Sequence, residues 1–204
     1  MIMFKNFQDH HLNGFKFSGA PSYFVRVGII QKIIKDKFSL NHSIVELGCG
    51  DGELANYLYE EGYNNIEILD YRSFIKPEYK KKLKLSVIDV NYNKLPYKDN
   101  SKDLILAIAV FEHLENPYLI IRESTRVLKS GGYFLVALPH IFSIRSKIKF
   151  LIKGDLHGYN LKNNHYSLYT NSVFQKAFLK NFKIEKVIYS TGYLKFFKRK
   201  VYFL

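Results

Sequence analysis

Cysteine and tryptophan are almost missing from this chain of 204 residues, which has one cysteine, Cys49, and no tryptophan. A single cysteine cannot form an intrachain disulfide, so the fold does not need an oxidising compartment and a cytoplasmic location is expected. Long apolar runs are also missing: the longest, residues 104–111 and 133–138, are far shorter than the ~20 residues that a transmembrane helix requires. The first residues lack the apolar segment of a signal peptide. We therefore expect a soluble protein, with peripheral contact to a membrane left open.

Acidic residues are scarce, with 18 Asp and Glu against 31 Lys and Arg and a net charge of +13. The excess is uneven. Residues 1–140 hold 18 basic and 16 acidic side chains, a net charge of +2, whereas residues 141–204 hold 13 and 2, a net charge of +11. Such an excess suits a nucleic acid, an anionic membrane surface or a phosphorylated small molecule as partner. Any such partner would meet the last third of the chain.

Short apolar segments alternate with helical patterns along the middle of the chain. A hydrophobic content of 47% and a charged content of 24% are ordinary for a globular domain. Alternation of strands and helices predicts βαβ units in a mostly parallel sheet. The segments typical of buried strands are residues 44–47, 66–69, 85–88, 104–109 and 133–138.

Helical patterns cover residues 53–61 and 117–128. Gly62 and the pair Gly131-Gly132 lie where helix C-caps are expected. Thr170 is predicted to cap a further helix that ends near residue 179. Final strands are predicted at residues 184–190 and 200–204.

A glycine-rich turn between a predicted strand and a predicted helix is the most informative feature, Glu46-Leu47-Gly48-Cys49-Gly50-Asp51-Gly52. Alternate glycines let the backbone turn sharply and approach a ligand, and the helix N-terminus offers free N–H groups. A tight strand–helix connection also selects glycine, so this turn alone leaves both a nucleotide-like ligand and a structural role open. Glu46 suits an amino-bearing ligand better than a pyrophosphate. The place of Cys49 between two glycines favours a small packing residue over a nucleophile.

An acidic residue followed by G-x-G-x-G resembles the first motif of the class I S-adenosylmethionine-dependent methyltransferases, in their small-molecule, type-11-like branch. Further segments follow in that family's order: Asp70, then Asp89-Val90, then residues 112–114 and 126–132. The resemblance covers residues 43–140 and, more loosely, 165–190. It implies an α/β fold, Rossmann-like and doubly wound, with a seven-stranded, mostly parallel sheet and a terminal antiparallel strand.

The resemblance implies S-adenosyl-L-methionine as cofactor and S-adenosyl-L-homocysteine as its product. Asp70 would accept hydrogen bonds from both ribose hydroxyls. Asp89 would accept one from the adenine amino group, with Val90 beside the ring; for either aspartate taken alone, a polar strand end is the alternative. Tyr71 departs from the small or apolar residues commoner after Asp70. The expected cofactor-binding residues are Glu46, Gly48, Cys49, Gly50, Asp70, Tyr71, Asp89, Val90 and Ala109.

Three histidines, His113, His140 and His165, are the candidate catalytic residues on the acceptor side. A hydroxyl acceptor would require a base near the methyl group. His113 also suits a structural role or a cofactor contact, and His165 either lines the acceptor pocket or pins the insertion to the sheet. The spacing of the histidines has no metal signature, so no metal is expected.

The chain is expected to form a single methyltransferase domain, 1–204. Its predicted parts are an N-terminal cap at 1–42, a cofactor-binding core at 43–140, an insertion or lid on the acceptor side at 141–170, and the last helix and strands at 171–204. Residues 143–151 have the pattern of a short basic amphipathic helix.

The expected function is methyl transfer to a small, glycan-linked or lipid-linked acceptor. The basic last third favours an anionic acceptor, such as a phosphorylated sugar or a precursor in polysaccharide biosynthesis, although these side chains also fit an ordinary solvated surface. Two alternatives remain: a non-catalytic cofactor-binding subunit of a partner enzyme, and an RNA methyltransferase. A nucleic-acid partner is disfavoured because the chain has no room for a separate RNA-binding module.

Overall fold

A parallel β-sheet with helices on both faces forms the fold. The structure is a computed structural model that describes residues 2–4, 21–139, 141, 143–159 and 164–188. The strands are β1 (Ile2–Phe4), β2 (Ile44–Leu47), β3 (Ile66–Asp70), β4 (Lys84–Val87), β5 (Lys102–Ile108), β6 (Leu128–Ala137) and β7 (Lys186–Ile188). The α-helices are α1 (Pro21–Lys37), α2 (Glu53–Glu60), α3 (Pro117–Val127), α4 (Ile144–Lys153) and α5 (Asn171–Phe178). Two 3₁₀ turns cover Pro77–Tyr79 and Phe111–His113.

The strand order is β4-β3-β2-β5-β6-β1-β7, and every pairing between described strands is parallel. The central run from β4 to β6 is extended by the three-residue strands β1 and β7. From β2 the chain moves outward through β3 to β4, and it then returns to pair β5 with the other side of β2. The order therefore reverses between β2 and β5, and in open α/β sheets ligands bind beyond the carboxyl ends of the strands at such a point.

Neighbouring residues of each central strand bury their side chains on opposite faces of the sheet. Ile44 of β2 packs in a cluster with α1 and α2, whereas Val45 packs in a cluster with α3 and α5. Because both faces are covered, β2 is buried along its whole length, as is typical of a strand in a parallel sheet.

The predicted α/β, Rossmann-like fold with a parallel sheet is confirmed, and the predicted strands of the middle of the chain correspond to β2–β6. Residues 184–190 were predicted as one strand, of which Lys186–Ile188 forms β7. Among the described residues no strand is antiparallel, since β7 pairs parallel to β1, and the predicted strand at 200–204 lies outside them.

The C-cap role predicted for Gly131-Gly132 is wrong. Helix α3 already ends at Val127, and both glycines lie inside β6, which begins at Leu128 and pairs with Lys102 across an irregular register. The cap of α5 is as predicted, because Thr170 Oγ1 accepts a hydrogen bond of 3.3 Å from the Val173 amide.

The insertion predicted at 141–170 contains α4, which Ser143 caps at its N-terminus. None of the helices in the described parts of the chain combines the length and the apolar character needed to cross a membrane. The division of the chain into cap, core, insertion and last elements stays a prediction, although α1, from the expected cap, packs on the sheet through Ile30 and Ile34.

Candidate active site

The glycine-rich turn lies at the carboxyl end of β2, where the strand order reverses. Gly48 and Gly50 both have left-handed backbone, with φ of +65° and +53°. A Cβ on Gly48 would lie 2.6 Å from Cγ2 of Val110, in the loop after β5. The two loops can therefore approach this closely only because Gly48 has no side chain. A Cβ on Gly50 would meet no atom within 4 Å among the described residues. Gly48 therefore joins two loops, and Gly50 faces open space that a ligand can enter.

Asp70 connects the end of β3 to this turn. Its Oδ2 accepts a hydrogen bond of 2.9 Å from the Gly50 amide, and the residue is only 6% exposed. Its Oδ1 has a longer contact of 3.5 Å with the Arg72 amide. The adjacent Tyr71 is half exposed and packs edge-on against Phe74. Asp70 thus lies beside the open space at Gly50, and its contact with the ribose of the cofactor stays a prediction.

Glu46 is a buried acid just before the turn. Burial, together with the nearby charges of Asp51 and Asp70, raises the pKa of Glu46 to about 8. Its Oε2 has no hydrogen-bond partner among the described residues. A buried carboxyl oxygen without a partner is costly, so this acid fits an environment in which a donor group from a ligand approaches.

Cys49 is buried in the core cluster on the α1–α2 face. Burial, with the charges of Glu46 and Asp70, raises the pKa of its thiol well above the usual range. The thiol is therefore uncharged and unreactive near neutral pH, which agrees with the packing role favoured from the sequence.

The loop after β4 holds Asp89 and Val90. Asp89 Oδ1 accepts a hydrogen bond of 2.9 Å from the Asn91 amide, and Val90 packs partly buried against the core on the α3–α5 face. Asn91 Oδ1 in turn accepts a hydrogen bond of 2.9 Å from the Glu115 amide. The adenine-binding segment predicted from the sequence is thereby tied to the loop that follows β5.

Ala109 directly follows β5 and has a conformation that non-glycine residues rarely adopt, with φ of +55°. Its amide donates a hydrogen bond of 3.0 Å to the carbonyl of Ala137 in β6. Strained backbone at the carboxyl edge of a sheet is common at functional sites. This residue directs the chain into Val110 and the turn that contains His113.

The structure brings two of the three predicted histidines together. The rings of His113 and His165 lie 4.7 Å apart in an edge-to-face arrangement. His113 Nδ1 lies 3.1 Å from the carbonyl oxygen of Asn164. The carbonyl of Glu112 accepts hydrogen bonds from the amides of Tyr166 and Ser167, at 2.8 and 3.1 Å. His140 lies outside the described residues.

Glu112 and Tyr159 also belong to this group, and sequence reasoning missed both; we call His113, His165, Glu112 and Tyr159 the acceptor-side cluster, after the role expected for the two histidines. Glu112, only 1% exposed, contributes one ligand-capable oxygen close to both histidines. Tyr159 donates a hydrogen bond of 2.9 Å to the carbonyl of Ser167 and packs against the His165 ring. Burial, with the charge of Glu112, raises the pKa of Tyr159 to about 12. Glu112 had a sequence signal, since it immediately precedes His113, whereas nothing in the sequence pairs Tyr159 with Ser167.

Comparison with known proteins relates the middle of this chain to a described family. Residues 45–136 match a family described as "Methyltransferase domain". An uncharacterised protein of Methanocaldococcus jannaschii is 35% identical over 62% of this chain and 47% of its own length. A sarcosine/dimethylglycine N-methyltransferase of Aphanothece halophytica is 25% identical over 65% of this chain and 51% of its own length. The chain therefore spans about half the length of these curated relatives.

Among solved structures, the YcgJ protein of Bacillus subtilis superposes with a TM-score of 0.62. The two chains are 19% identical, and the superposition covers 78% of this chain and 68% of the other. At this identity the likeness concerns the fold alone.

Proposed function

We propose that this chain is a class I S-adenosylmethionine-dependent methyltransferase and that it methylates a small, glycan-linked or lipid-linked acceptor that carries negative charge. The observation that carries the cofactor part of this proposal is the hydrogen bond between the Gly50 amide and Asp70 beside open space, at the switch point of the sheet. S-adenosyl-L-homocysteine would be the product of the cofactor.

Residues in the loops that follow the central strands would each bind a different part of the cofactor. S-adenosylmethionine, when bound, supplies a methyl group on a positively charged sulfur. Asp70 would accept hydrogen bonds from hydroxyl groups through its carboxylate, and Asp89 would accept one from an amino group. Glu46, Gly48, Cys49, Tyr71, Val90 and Ala109 complete the set that we assign to the cofactor.

The chain's own contribution to methyl transfer would be alignment and exclusion of water. Such a displacement needs the attacking atom held in line with the methyl group, and it needs a base only when the acceptor must lose a proton. His113 and His165, on the acceptor side, are our candidates to hold that proton or orient the acceptor, together with His140.

Negative charge on the acceptor is supported by how the basic insertion is attached. The His157 amide donates a hydrogen bond of 2.9 Å to Ser146 Oγ in α4, and Tyr159 binds Ser167, whose hydroxyl reaches the Leu114 carbonyl. These contacts connect α4 to the loop after β5. The positive charge of residues 141–159 therefore belongs to a segment packed beside the acceptor-side cluster.

Helix α4 also has exposed apolar side chains, including Ile144, Ile148 and Leu151, which is 83% exposed. Basic residues Arg145 and Lys147 lie on the same helix. An apolar face with flanking positive charge suits an anionic interface. This favours a lipid-linked acceptor, such as a polysaccharide precursor, and peripheral membrane contact from a cytoplasmic location.

Calorimetry with S-adenosylmethionine and S-adenosylhomocysteine tests the cofactor assignment. We expect binding by the intact chain and its loss in Asp70→Ala. Asp155→Ala, at an aspartate with a 57% exposed side chain, is the matched control and should bind normally. The assignment is refuted if neither ligand produces heat of binding, or if Asp70→Ala binds them with the same affinity as the intact chain.

A turnover screen with labelled cofactor tests the acceptor. It should include phosphorylated sugars, lipid-linked glycans, tRNA fractions and neutral metabolites. We expect label on an anionic acceptor, and labelling of neutral metabolites alone would refute this part of the proposal. Label on tRNA would favour an RNA methyltransferase, and cofactor binding without any turnover would favour a non-catalytic subunit.

A further inference from the structure

A carboxylate and two imidazoles converge on the acceptor side of the sheet. One ligand-capable atom from each of Glu112, His113 and His165 lies within 4.8 Å of the other two. Glu112 and His113 follow β5, whereas His165 belongs to the segment between α4 and α5. From this geometry we propose that Glu112, His113 and His165 bind a divalent transition-metal cation.

The chemistry of the three groups suits such an ion. Imidazole nitrogen with carboxylate oxygen is a common donor set for Zn²⁺, Mn²⁺, Fe²⁺ and Co²⁺, whereas Mg²⁺ and Ca²⁺ prefer oxygen donors alone. Bonds of about 2.0–2.2 Å would place the three donor atoms roughly 3–3.5 Å apart. Side-chain shifts of about 1 Å from the present arrangement would therefore close the site around an ion.

The hydrogen bond made by His113 decides which of its ring nitrogens is available to a metal ion. A carbonyl oxygen only accepts, so the contact of 3.1 Å between His113 Nδ1 and the Asn164 carbonyl places the ring proton on Nδ1. The lone pair is then on Nε2. Metal-binding histidines commonly donate their second ring N–H to a backbone carbonyl in this way, which fixes the tautomer.

Backbone hydrogen bonds hold the two segments of the site in register. The Glu112 carbonyl accepts from both the Tyr166 and Ser167 amides. The Ser167 hydroxyl donates to the Leu114 carbonyl at 2.5 Å. The main chain therefore holds the segments that carry Glu112 and His165 next to each other, and coordination needs little further ordering of the backbone.

The site has three protein ligands, which is the number found in catalytic metal sites that leave positions for substrate. With a cation bound, His113 and His165 would act as its ligands and not as bases, and the cation would bind an oxygen of the acceptor and lower the pKa of its hydroxyl group. Its positive charge would also attract a negatively charged acceptor. This role rests on the proposed function, whereas metal binding itself does not.

Metal binding is testable with the full chain after removal of bound ions with a chelator. Titration with Co²⁺ alone, followed by visible absorption, and with Zn²⁺ alone, followed by calorimetry, should show one equivalent bound. Affinity should fall at least about tenfold in Glu112→Gln, His113→Ala and His165→Ala, because each removes one of three ligands. His157→Ala is the matched control, since His157 is exposed on the same insertion and outside the cluster, and it should bind as the intact chain does.

Circular dichroism without metal separates loss of a ligand from loss of fold. If a histidine variant does not fold, the metal affinity of the nearly isosteric Glu112→Gln still tests the proposal. The proposal is overturned if the intact chain binds neither ion, or if the three variants bind like His157→Ala. Calorimetry with S-adenosylmethionine in the presence of chelator distinguishes such a failure from failure of the cofactor assignment.

Discussion

Gly48 and Val110 face each other across the switch point so closely that a Cβ on Gly48 would lie 2.6 Å from Val110 Cγ2. Gly48 follows β2 and Val110 follows β5, which are paired neighbours in the sheet. The missing side chain therefore sets the distance between the two loops that surround the proposed cofactor site. Both residues belong to segments that the sequence already singled out, but their contact is a product of the fold.

Gly48→Ala should destabilise the fold by about 2–4 kcal/mol, because it adds an overpacked methyl group to a left-handed backbone position. Chemical denaturation measures the free energy of unfolding. The double variant Gly48→Ala/Val110→Ala should lose less stability than the sum of the two single variants, since the clash is removed. Simple additivity would show that the contact does not exist in solution.

Gly50→Ala should have a different effect, although Gly50 has the same backbone conformation. Its Cβ meets no described atom within 4 Å, so we expect a cost of only about 1–2 kcal/mol from the backbone. Binding of S-adenosylmethionine should nevertheless fall at least about tenfold, or about 1.4 kcal/mol, because the methyl group enters the proposed cofactor space. Unchanged affinity by calorimetry would show that the ligand lies elsewhere.

Glu46→Gln should change the pH dependence of stability. Burial raises the pKa of Glu46 from 4.5 to about 8, so between these values the folded chain holds the proton more tightly than the unfolded chain. The stability of the native sequence should therefore be complete below pH 4.5 and fall as the pH rises towards 8, by up to about 1.4 kcal/mol per pH unit. Glutamine stays neutral, so its free energy of unfolding should not show this fall. In denaturation curves measured side by side, the stability of the variant relative to the native chain should rise from pH 5 to pH 9. Parallel pH profiles would contradict this.

Asp103 lies outside the candidate active site, and Asp103→Asn should lower the free energy of unfolding. Although burial opposes it, hydrogen bonds from Lys129 and Ser43 lower the pKa of Asp103 from 3.8 to about 2. The lost contacts should cost about 1–3 kcal/mol at neutral pH. Since the folded pKa is depressed, this contribution is complete above pH 3.8 and disappears as the pH falls towards 2, where the native chain and the variant should converge.

The matched control for Asp103→Asn is Asp155→Asn, at an exposed ion pair with Lys149 of 3.5 Å. It should change the free energy of unfolding by less than about 0.5 kcal/mol. An equal loss in both variants would mean that any removed carboxylate has the same effect.

Much of the fold was predictable because the signal is local. Residues 44–47 form β2 as predicted, since a strand covered on both faces is mostly apolar, and three of its four residues are. The end of β6 was predicted, but its beginning at Leu128 was not. The pairing of Lys102 with Leu128 extends this strand through Gly131-Gly132, and local preference for a C-cap says nothing about a partner strand.

The candidate site divides in the same way. By itself the sequence predicted the cofactor side, because Glu46, Gly48, Gly50 and Asp70 follow an order set by strand–loop–helix units that each occupy one short stretch of chain. Only the tertiary structure decided which acceptor-side groups meet. It placed His165 at 4.7 Å from His113 and added Glu112 to them, because the insertion folds back onto the loop after β5. Contacts between segments so far apart depend on packing and backbone hydrogen bonds of the whole domain, which no local spacing of residues records.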